Sequence, residues 1–334
     1  MTTTPIEIIA AGSMIHLAQR VYQRLDQQRF GYMEVKDHVF PDGEMKPTIP
    51  EIVRHKEVYL FHPMYPNPNG NLVKAGLTIN ALTNASVEGI TLVLPYLQYS
   101  RQDRIDTPGA PFSAKFVAQV LQLSPKLEHL VTMDLHVEQI EGLYDIPVEN
   151  LYGAVVVAEH FRQLLQNNFE DVVVYSPDFG GAVRARRFAK MLGPEVRTFP
   201  IEKQHTDSEG KEILNFLGDP RGKIVIIYDD LIATGDSILN AAHEARERGA
   251  QRVYCAAPHG VFSKKKDSTI TAEEKFHQAG IEIIITESIP RSEAYLQENK
   301  AWLTILPLDE LFARVITEVS TVGGSVNRLI GRRE

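Results

Sequence analysis

The sequence predicts an α/β protein with two domains, each a mainly parallel sheet flanked by helices. Short β-branched runs alternate with longer segments of helical periodicity, which is typical of parallel-sheet units. The runs are largely apolar, as expected for strands that helices cover on both faces. The length of 334 residues is about twice that of a typical domain.

Strands are predicted where β-branched and apolar residues cluster over a few positions, and helices where apolar residues recur every three or four positions between them. The predicted strands are Ile6–Ala10, Val58–His62, Ile90–Pro95, Leu130–Asp134, Val172–Ser176, Ile224–Tyr228, Val253–Ala257 and Ile281–Thr286. The predicted helices are Leu72–Thr83, Ser113–Gln122, Ala154–Gln166, Ala182–Met191, Ile238–Gly249 and Leu308–Val319.

The domain boundary is predicted near Asn150 to Gly153. The run Asp145–Gly153 carries a proline and polar turn formers between two strand-and-helix blocks. Each side then holds about 150 residues, enough for its own core. Residues 1–152 are assigned to the N-terminal domain, with the tail 320–334 as a candidate addition to it, and residues 153–319 to the C-terminal domain.

Composition and charge exclude several classes of protein. The 35 basic and 43 acidic residues give a net charge of −8, which disfavours a nucleic-acid or anionic-membrane binder. The apolar runs are strand-sized, and the first residues lack the pattern of a signal peptide. The single cysteine, Cys255, rules out an intrachain disulfide and fits a reducing compartment. A cytoplasmic protein is expected.

The stretch 223–242 carries the strongest functional pattern. A buried strand ends in Asp229 and Asp230, and a turn with Thr234, Gly235 and Ser237 then opens a helix. Backbone N–H groups of such a turn form a cradle for a phosphate. The paired carboxylates suit a sugar diol or Mg²⁺. The alternative is that the aspartates are ordinary turn formers and the serine is a helix N-cap.

Polar residues follow two further strands of the C-terminal half. Asp178 precedes two glycines that allow close backbone approach, and a helix with Arg184, Arg186 and Arg187 then begins. These arginines suit phosphate oxygens, or a solvated basic face. The stretch 202–211 contains no apolar residue over ten positions. This composition indicates a surface loop or lid that carries Lys203.

Two loops of the N-terminal half show a similar pattern. His136 follows a predicted strand, where it suits a metal or a phosphate, or makes an ordinary hydrogen bond. The loop 96–106 combines two tyrosines with Arg101 and Arg104, a set suited to a purine nucleotide or to an amphipathic surface. Zinc spacings and the GxSxG, GxxxxGK[ST] and GxGxxG motifs are absent from the sequence, so a sugar phosphate with Mg²⁺ is favoured.

Six stretches of the sequence stand out as specific. They are FPDGE (40–44), PYLQYSRQDR (95–104), GAPFSAKFVAQVL (109–121), TMDLHVEQIEGLYDIPVENLYG (132–153), SPDFGG (176–181) and HGVFS (259–263). Together and in this order they resemble the ribose-phosphate diphosphokinases, also called phosphoribosyl pyrophosphate synthases. The resemblance spans about residues 40–263 and continues weakly to the C-terminus.

The resemblance implies two phosphoribosyltransferase-like domains in a homo-oligomer, often a hexamer built from dimers. It implies transfer of the diphosphoryl group of ATP to the C1 hydroxyl of ribose 5-phosphate, with Mg²⁺ and release of AMP, for nucleotide biosynthesis. The catalytic residues implied are Lys203 and His205, and His136 and Asp178 are implied at the Mg²⁺–nucleotide centre. The implied ATP-binding residues are Phe40, Asp42 and Glu44, reaching a neighbouring subunit, and Arg101, Gln102, Asp103, Arg104 and Asp106. The implied ribose 5-phosphate site is Asp229, Asp230, Thr234, Gly235, Asp236 and Ser237.

The chain departs from the family pattern in its sugar-phosphate loop. Ala233, Asp236 and Ser237 stand where the family usually has a carboxylate, a glycine and a threonine. A carboxylate at 236 repels the 5-phosphate unless it turns outward. His205 stands where the family often has arginine, which removes one positive charge at neutral pH.

Gly109, Ile52 and Asn327 fall where some members carry polar or charged residues of a phosphate and ADP regulatory site, so phosphate activation and ADP inhibition are not expected. These departures leave two alternatives to an active synthase. One is a non-catalytic regulatory homologue that assembles with an active enzyme. The other is a phosphoribosyltransferase, because DDLIATG is close to the corresponding string of purine phosphoribosyltransferases.

Overall fold

The computed structural model describes residues 5–205, 212–265 and 268–326, and of residues 203–205 and 212–214 it describes the backbone. The strands up to residue 152 are β1 (Ile6–Ala10), β2 (Phe30–Glu34), β3 (Lys36–Val39), β4 (Met45–Thr48), β5 (Glu57–Phe61), β6 (Gly89–Leu94), β7 (Leu127–Met133) and β8 (Val148–Leu151). The helices of this part are α1 (Ile15–Arg24), α2 (Pro68–Asn84) and α3 (Ser113–Leu121).

The second part of the chain continues the same alternation of strands and helices. Its strands are β9 (Val172–Ser176), β10 (Arg197–His205), β11 (Glu212–Phe216), β12 (Ile224–Tyr228), β13 (Leu231–Ile232), β14 (Arg252–Ala256), β15 (His259–Gly260), β16 (Glu282–Thr286) and β17 (Leu303–Leu306). The helices from residue 153 onward are α4 (Ala154–Leu164), α5 (Ala182–Leu192), α6 (Asp236–Glu247), α7 (Ala272–Ala279), α8 (Glu293–Asn299) and α9 (Asp309–Val319).

The chain forms two compact units. The first contains a parallel sheet in the order β2-β1-β5-β6-β7-β8, whose central strands are buried along their full length. Helices α2 and α3 pack against this core through Ala75, Ile79 and Val117. A separate antiparallel hairpin, β3–β4, packs on α2. The predicted α/β class is confirmed.

Helix α9 belongs to the first unit rather than to the C-terminal domain in which the sequence-based assignment placed it. It packs against α1. The ring of Phe312 lies 6.0 Å from that of Phe61 at the end of β5, and the Asp309 carboxylate pairs with the guanidinium of Arg24. Helical periodicity locates such a helix in the sequence but does not say which sheet it covers.

The second unit, residues 153–307, contains a sheet in the order β11-β10-β9-β12-β14-β16-β17. All neighbouring strands are parallel except β10 and β11, which form an antiparallel pair. The stretch predicted as a surface loop therefore begins as strand, because β10 runs to His205. A backbone ladder forms whatever the side chains are, so this polar stretch gives no strand signal in the sequence. Residues 206–211 of that stretch lie outside the described residues.

Two further features of the fold bear on the sequence-based expectations. Cys255 is buried in β14, where burial raises the pKa of its thiol, so it is a core residue. Among the described residues, none of the helices combines the length and the apolar character that crossing a membrane requires.

Candidate active site

Two carboxylates at the end of β12 share one arginine. The Arg184 Nη1 atom lies 3.0 Å from Oδ1 of Asp229 and 3.3 Å from Oδ1 of Asp230. Asp230 is buried and Asp229 is partly exposed. Burial, and then the neighbouring Asp230 charge, raise the pKa of Asp229 well above its usual range, and Arg184 opposes this shift. Arg184, which the sequence suggested for phosphate binding, thus pairs with the acidic residues.

The segment after these carboxylates is a tight loop that leads into α6. Strand β13 pairs with β15, so Leu231 lies opposite His259 and fixes the start of the loop. Gly235 has a left-handed backbone with φ of 78°, and a Cβ at this position would lie 2.6 Å from the Phe276 ring. Only glycine fits both constraints. Because α6 begins at Asp236, the loop presents backbone N–H groups at a helix N-terminus, which is a suitable cradle for a phosphate.

Asp236 is neutralised by basic side chains of the same unit. Its Oδ1 accepts a hydrogen bond from Nζ of Lys275 at 2.6 Å, and its Oδ2 accepts one from Oγ1 of Thr234 at 3.2 Å. The Nζ atom of Lys265 lies 3.9 Å from Oδ2. The Lys275 hydrogen bond is the main reason that the pKa of Asp236 is lowered. The repulsive carboxylate expected from the sequence is therefore an ion-paired one.

The loop after β9 carries Asp178 in an exposed position. The Asp178 Oδ1 atom accepts a hydrogen bond from the Gly181 N–H at 2.9 Å, and its carbonyl oxygen accepts one from Oγ of Ser176 at 2.7 Å. A Cβ at position 181 would lie 2.6 Å from that Oγ, which explains the second glycine. The same loop opens α5, from which Arg184 reaches the carboxylates of β12.

The two residues implied in catalysis lie in β10. Lys203 is opposite Leu214 and His205 is opposite Glu212 in the ladder with β11. Their side chains lie outside the described part of the chain, and so does Asn327 of the expected regulatory positions. Ile52 and Gly109 are described: the first is 83% exposed, and the second has a left-handed backbone with φ of 83°.

The first unit contains a pocket of about 560 Å³ beside the loop after β6. This volume is within the range usual for small-molecule sites. Arg101 and Gln102 line the pocket, as the sequence suggested for a nucleotide site, whereas Asp103, Arg104 and Asp106 follow in the same loop. The other lining residues are Pro68, Asn69, Tyr96, Gln98 and Tyr99.

Uncharged hydrogen bonds hold the wall of this pocket. The Oε1 atom of Gln102 accepts a hydrogen bond from Oγ of Ser113 at 2.6 Å, at the start of α3. The Tyr99 hydroxyl donates to Oδ1 of Asn69, near the start of α2. Asn69 and Gln98 were not singled out from the sequence, because amides in polar loops carry no periodic signal. Asn67, two residues before Asn69, caps α2 by accepting from the Gly70 N–H, which is the local signal for a helix start there.

The hairpin β3–β4 presents the FPDGE stretch at its tip. Phe40 is 38% exposed, and its ring lies 4.5 Å from that of His38 in an edge-on arrangement. The Glu44 N–H donates to Oδ1 of Asp42 at 3.1 Å. At the base of the hairpin, Asp37 pairs with Lys74 of α2. The hairpin thus holds the aromatic ring and both carboxylates, Asp42 and Glu44, in exposed positions.

His136 lies in the loop after β7. Asp134 has a left-handed backbone with φ of 44°, and the next N–H, from Leu135, donates to Oδ1 of Asn150 at 3.2 Å. Asn150 in turn donates to Oε1 of Glu141 at 2.9 Å. The Asn150 side chain, from β8, therefore fixes the backbone that leads to His136.

The donor atoms are suited to Mg²⁺ bound mainly through a substrate. Within the described ranges, no three acidic, histidine or cysteine side chains converge as a ligand cluster. Asp178 nevertheless presents an exposed carboxylate on a loop braced by its own backbone. Mg²⁺ keeps several waters and is usually held by one or two carboxylates together with substrate phosphates. Asp178 fits that role.

Comparisons with known proteins identify relatives along most of the chain. Residues 6–124 match the family model for the N-terminal domain of ribose phosphate pyrophosphokinase, and residues 186–321 match the phosphoribosyl synthetase-associated domain. The ribose-phosphate pyrophosphokinase of Vibrio cholerae is 35% identical over 94% of this chain and 96% of its own length. That of Campylobacter jejuni is 35% identical over 84% of this chain and 85% of its own.

A solved structure supports the same assignment. The crystal structure of phosphoribosylpyrophosphate synthetase from Mycobacterium smegmatis superposes with a TM-score of 0.83, at 30% identity, over 95% of this chain and 99% of that protein. The match therefore extends over both units and not over a single domain. With relatives at this identity along almost its whole length, the chain belongs to the ribose-phosphate pyrophosphokinase family.

Proposed function

We propose that this chain transfers the diphosphoryl group of ATP to the C1 hydroxyl of ribose 5-phosphate, giving phosphoribosyl pyrophosphate and AMP. The observation that carries the proposal is the loop 229–237, in which two strand-end carboxylates precede a left-handed glycine and a helix N-terminus. Full-length relatives named for this activity support it. They do not favour a regulatory homologue or a phosphoribosyltransferase.

The loop 229–237 suits the sugar phosphate. Carboxylates accept hydrogen bonds from vicinal hydroxyls, so Asp229 and Asp230 would bind the ribose diol. The backbone N–H groups around Gly235 would hold the 5-phosphate, with the hydroxyl of Ser237 and with that of Thr234 once it turns from Asp236 to the phosphate. Arg184 keeps the two carboxylates in one orientation before the sugar arrives.

The pocket of the first unit suits the nucleotide. Tyr96 and Tyr99 offer aromatic surface for a purine, and Arg101 offers a guanidinium for phosphate oxygens. Asp103, Arg104 and Asp106 extend the polar edge of the same loop. Phe40, Asp42 and Glu44 would reach the nucleotide of a neighbouring subunit, which requires a homo-oligomer, in the dimer-built form typical of the family. Exposed apolar side chains on the first unit, Val73, Leu77 and Phe116, offer surface for such assembly.

The reaction exchanges one phosphorus–oxygen bond for another. The C1 hydroxyl oxygen bonds to the β-phosphorus of ATP, the bond from that phosphorus to the bridging oxygen breaks, and AMP leaves with that oxygen while the hydroxyl proton is released. Catalysis of such a transfer depends mainly on positioning and on positive charge around the phosphoryl oxygens. Arg101 and Lys203 would supply that charge from the protein, and His205 would add to it only in its protonated form. Mg²⁺ bound to the nucleotide would neutralise charge on the transferred group, and Asp178 would help to hold it, while His136 is a candidate ligand that the family resemblance implies.

The test is AMP formation from ATP by the purified chain, with and without ribose 5-phosphate. We expect AMP that depends on both ribose 5-phosphate and Mg²⁺. Asp230→Asn should lower kcat/KM about a hundredfold, because a buried acceptor of the sugar diol is changed. The matched control is Asp171→Asn, a surface carboxylate of the same unit that pairs with Lys223 at 2.5 Å and should leave the rate unchanged.

Two results would contradict the proposal. If the chain purified alone forms no AMP that depends on ribose 5-phosphate, the regulatory homologue is favoured. Release of pyrophosphate from phosphoribosyl pyrophosphate on addition of purine or pyrimidine bases would favour a phosphoribosyltransferase. Replacing ATP with other nucleotides in the same assay measures the donor range.

A further inference from the structure

The phosphate cradle contains a carboxylate at the position where charge repulsion would be greatest. Asp236 is the first residue of α6, directly after Gly235, so its backbone N–H belongs to the cradle proposed for the 5-phosphate. A phosphate dianion and a carboxylate within a few ångströms repel strongly at a partly buried site. The site therefore requires something that cancels the charge of Asp236.

Lys275 is placed to do this. It lies on α7, one residue before Phe276, whose ring limits the space at Gly235. Residues 275 and 276 thus contact loop residues 236 and 235, one through charge and the other through packing. The Lys275 side chain is 17% exposed, whereas that of Asp236 is 41% exposed, so the lysine approaches from the protein side and leaves the cradle open.

The N-terminal cap and the buried face of α7 fix the position of this helix. Thr271 and Glu274 form a capping box, in which each side chain accepts a hydrogen bond from the backbone N–H of the other residue. Phe276 is fully buried and stacks against Trp302 with ring centroids 5.7 Å apart. The position of Lys275 is therefore determined by a capped and buried helix.

We infer that Lys275 is a positioning residue of the sugar-phosphate site, which cancels the charge of Asp236 so that the loop can bind a phosphate dianion. The inference rests on the proposed function, because it takes the loop 234–237 to be the phosphate cradle. Lys265, whose Nζ atom is 3.9 Å from the same carboxylate and whose side chain is 64% exposed, adds a second and weaker contribution.

A cycle of charge-only substitutions in the full chain tests this pairing. Lys275→Gln removes the positive charge, Asp236→Asn removes the negative charge, and the double variant removes both with little change of shape. The affinity for ribose 5-phosphate is measured by titration calorimetry without ATP, so that turnover does not enter the result. Lys275→Arg is the conservative variant, and Lys223→Ala removes a lysine from a surface ion pair of the same unit as a control for net charge.

We expect Lys275→Gln to weaken binding about tenfold, equivalent to about 1.4 kcal/mol. The double variant should return to within about threefold of the original protein, since charge balance is restored. Asp236→Asn should bind at least as tightly as the original, and Lys275→Arg and Lys223→Ala should bind normally. A packing role for Lys275 would not produce this recovery in the double variant.

Two outcomes would overturn the inference. In one, Lys275→Gln binds ribose 5-phosphate as tightly as the original protein. In the other, the double variant binds as weakly as Lys275→Gln, which would mean that the lysine contacts the ligand directly or only supports α7.

Inorganic phosphate serves as a second probe in the same titrations. If the protein makes no AMP but the variants rank in the expected order with phosphate, the charge pairing holds and the proposed activity fails. If phosphate does not bind the original protein, the loop is not a phosphate cradle and the inference fails.

Discussion

The two candidate sites hold their charged groups in different ways. In the second unit, the carboxylates of loop 229–237 already have cationic partners, Arg184 for the strand-end pair and Lys275 for Asp236. In the first unit, the pocket wall is held by uncharged hydrogen bonds, such as that between Ser113 and Gln102, and Arg101 is exposed.

This difference separates stability from binding. Removing a partner in the second unit leaves an uncompensated, partly buried charge, which costs folding free energy as well as affinity. Removing a group in the first unit leaves an exposed loop and costs affinity for the ligand alone. Equivalent substitutions in the two units should therefore give different results.

Arg184→Met should have the largest effect. It leaves Asp229 and Asp230 side by side without their shared cation, so we expect the free energy of unfolding at pH 7 to fall by about 3 kcal/mol. Denaturant unfolding measures this loss. A loss below that of an ordinary surface substitution would show that the carboxylates do not depend on Arg184.

The pH dependence of this variant has a definite sign. In the folded protein the pKa of Asp229 is already raised above its ordinary value of 3.8, so the folded state binds the proton more tightly than the unfolded state. The contribution of Asp229 to the free energy of unfolding therefore falls as pH rises from about 3.8, its ordinary pKa, through the raised pKa of the folded state. Without Arg184 the pKa rises further, and the deficit of the variant should be larger at pH 8 than at pH 5.

Gly235→Ala should lower the free energy of unfolding by about 2 to 3 kcal/mol. The substitution adds a left-handed alanine, at about 1 to 2 kcal/mol, and a clash with the Phe276 ring. Gly222→Ala is the matched control, because its φ of 69° is similar and no atom lies within 4 Å of the added Cβ. The difference between the two variants in thermal or denaturant unfolding isolates the clash, and equal losses would argue against close packing of α7 on the loop.

Arg101→Met tests the first unit with the same change of side chain as Arg184→Met. We expect the KM for ATP to rise about tenfold, since a phosphate contact of about 1.4 kcal/mol is removed. The free energy of unfolding should change by less than about 0.5 kcal/mol. Steady-state kinetics and denaturant unfolding give the two values. A large loss of stability would remove the contrast between the sites.

Ser113→Ala should have the smallest effect. It removes the 2.6 Å hydrogen bond to Gln102, and we expect the KM for ATP to rise about threefold, in line with the loss of one neutral hydrogen bond. Ser124→Ala removes a similar 2.6 Å hydroxyl contact, with Thr83, elsewhere in the same unit. If both serine variants raise the KM equally, the effect does not pass through Gln102.

Much of the fold follows from local patterns. Strands β1, β9 and β12 coincide with the predicted runs, because a cluster of β-branched and other apolar residues over five positions specifies a buried strand. Helix α2 begins four residues before the predicted Leu72, since Asn67 caps it and Pro68 occupies its first turn. The end of β10, from Glu202 to His205, is polar and lacks such a signal.

The cationic partners of the site's carboxylates could not be predicted from local sequence patterns. Asp229 and Asp230 could be singled out because carboxyl ends of parallel strands collect ligand-binding residues. Their partner Arg184 is separated from Asp229 by 45 positions, and Lys275 from Asp236 by 39. No periodicity relates residues at such distances, so a single sequence predicts the acidic residues but not the cations that balance them.

The placement of α9 has a consequence for the order in which the protein folds during synthesis. The second unit is formed by one continuous stretch of chain, whereas the first unit needs residues 308 onward to complete its packing. Until α9 emerges from the ribosome, Phe61 lacks its partner ring and Arg24 lacks Asp309. Since domains fold as their residues become available, we expect the unit synthesised first to be completed last.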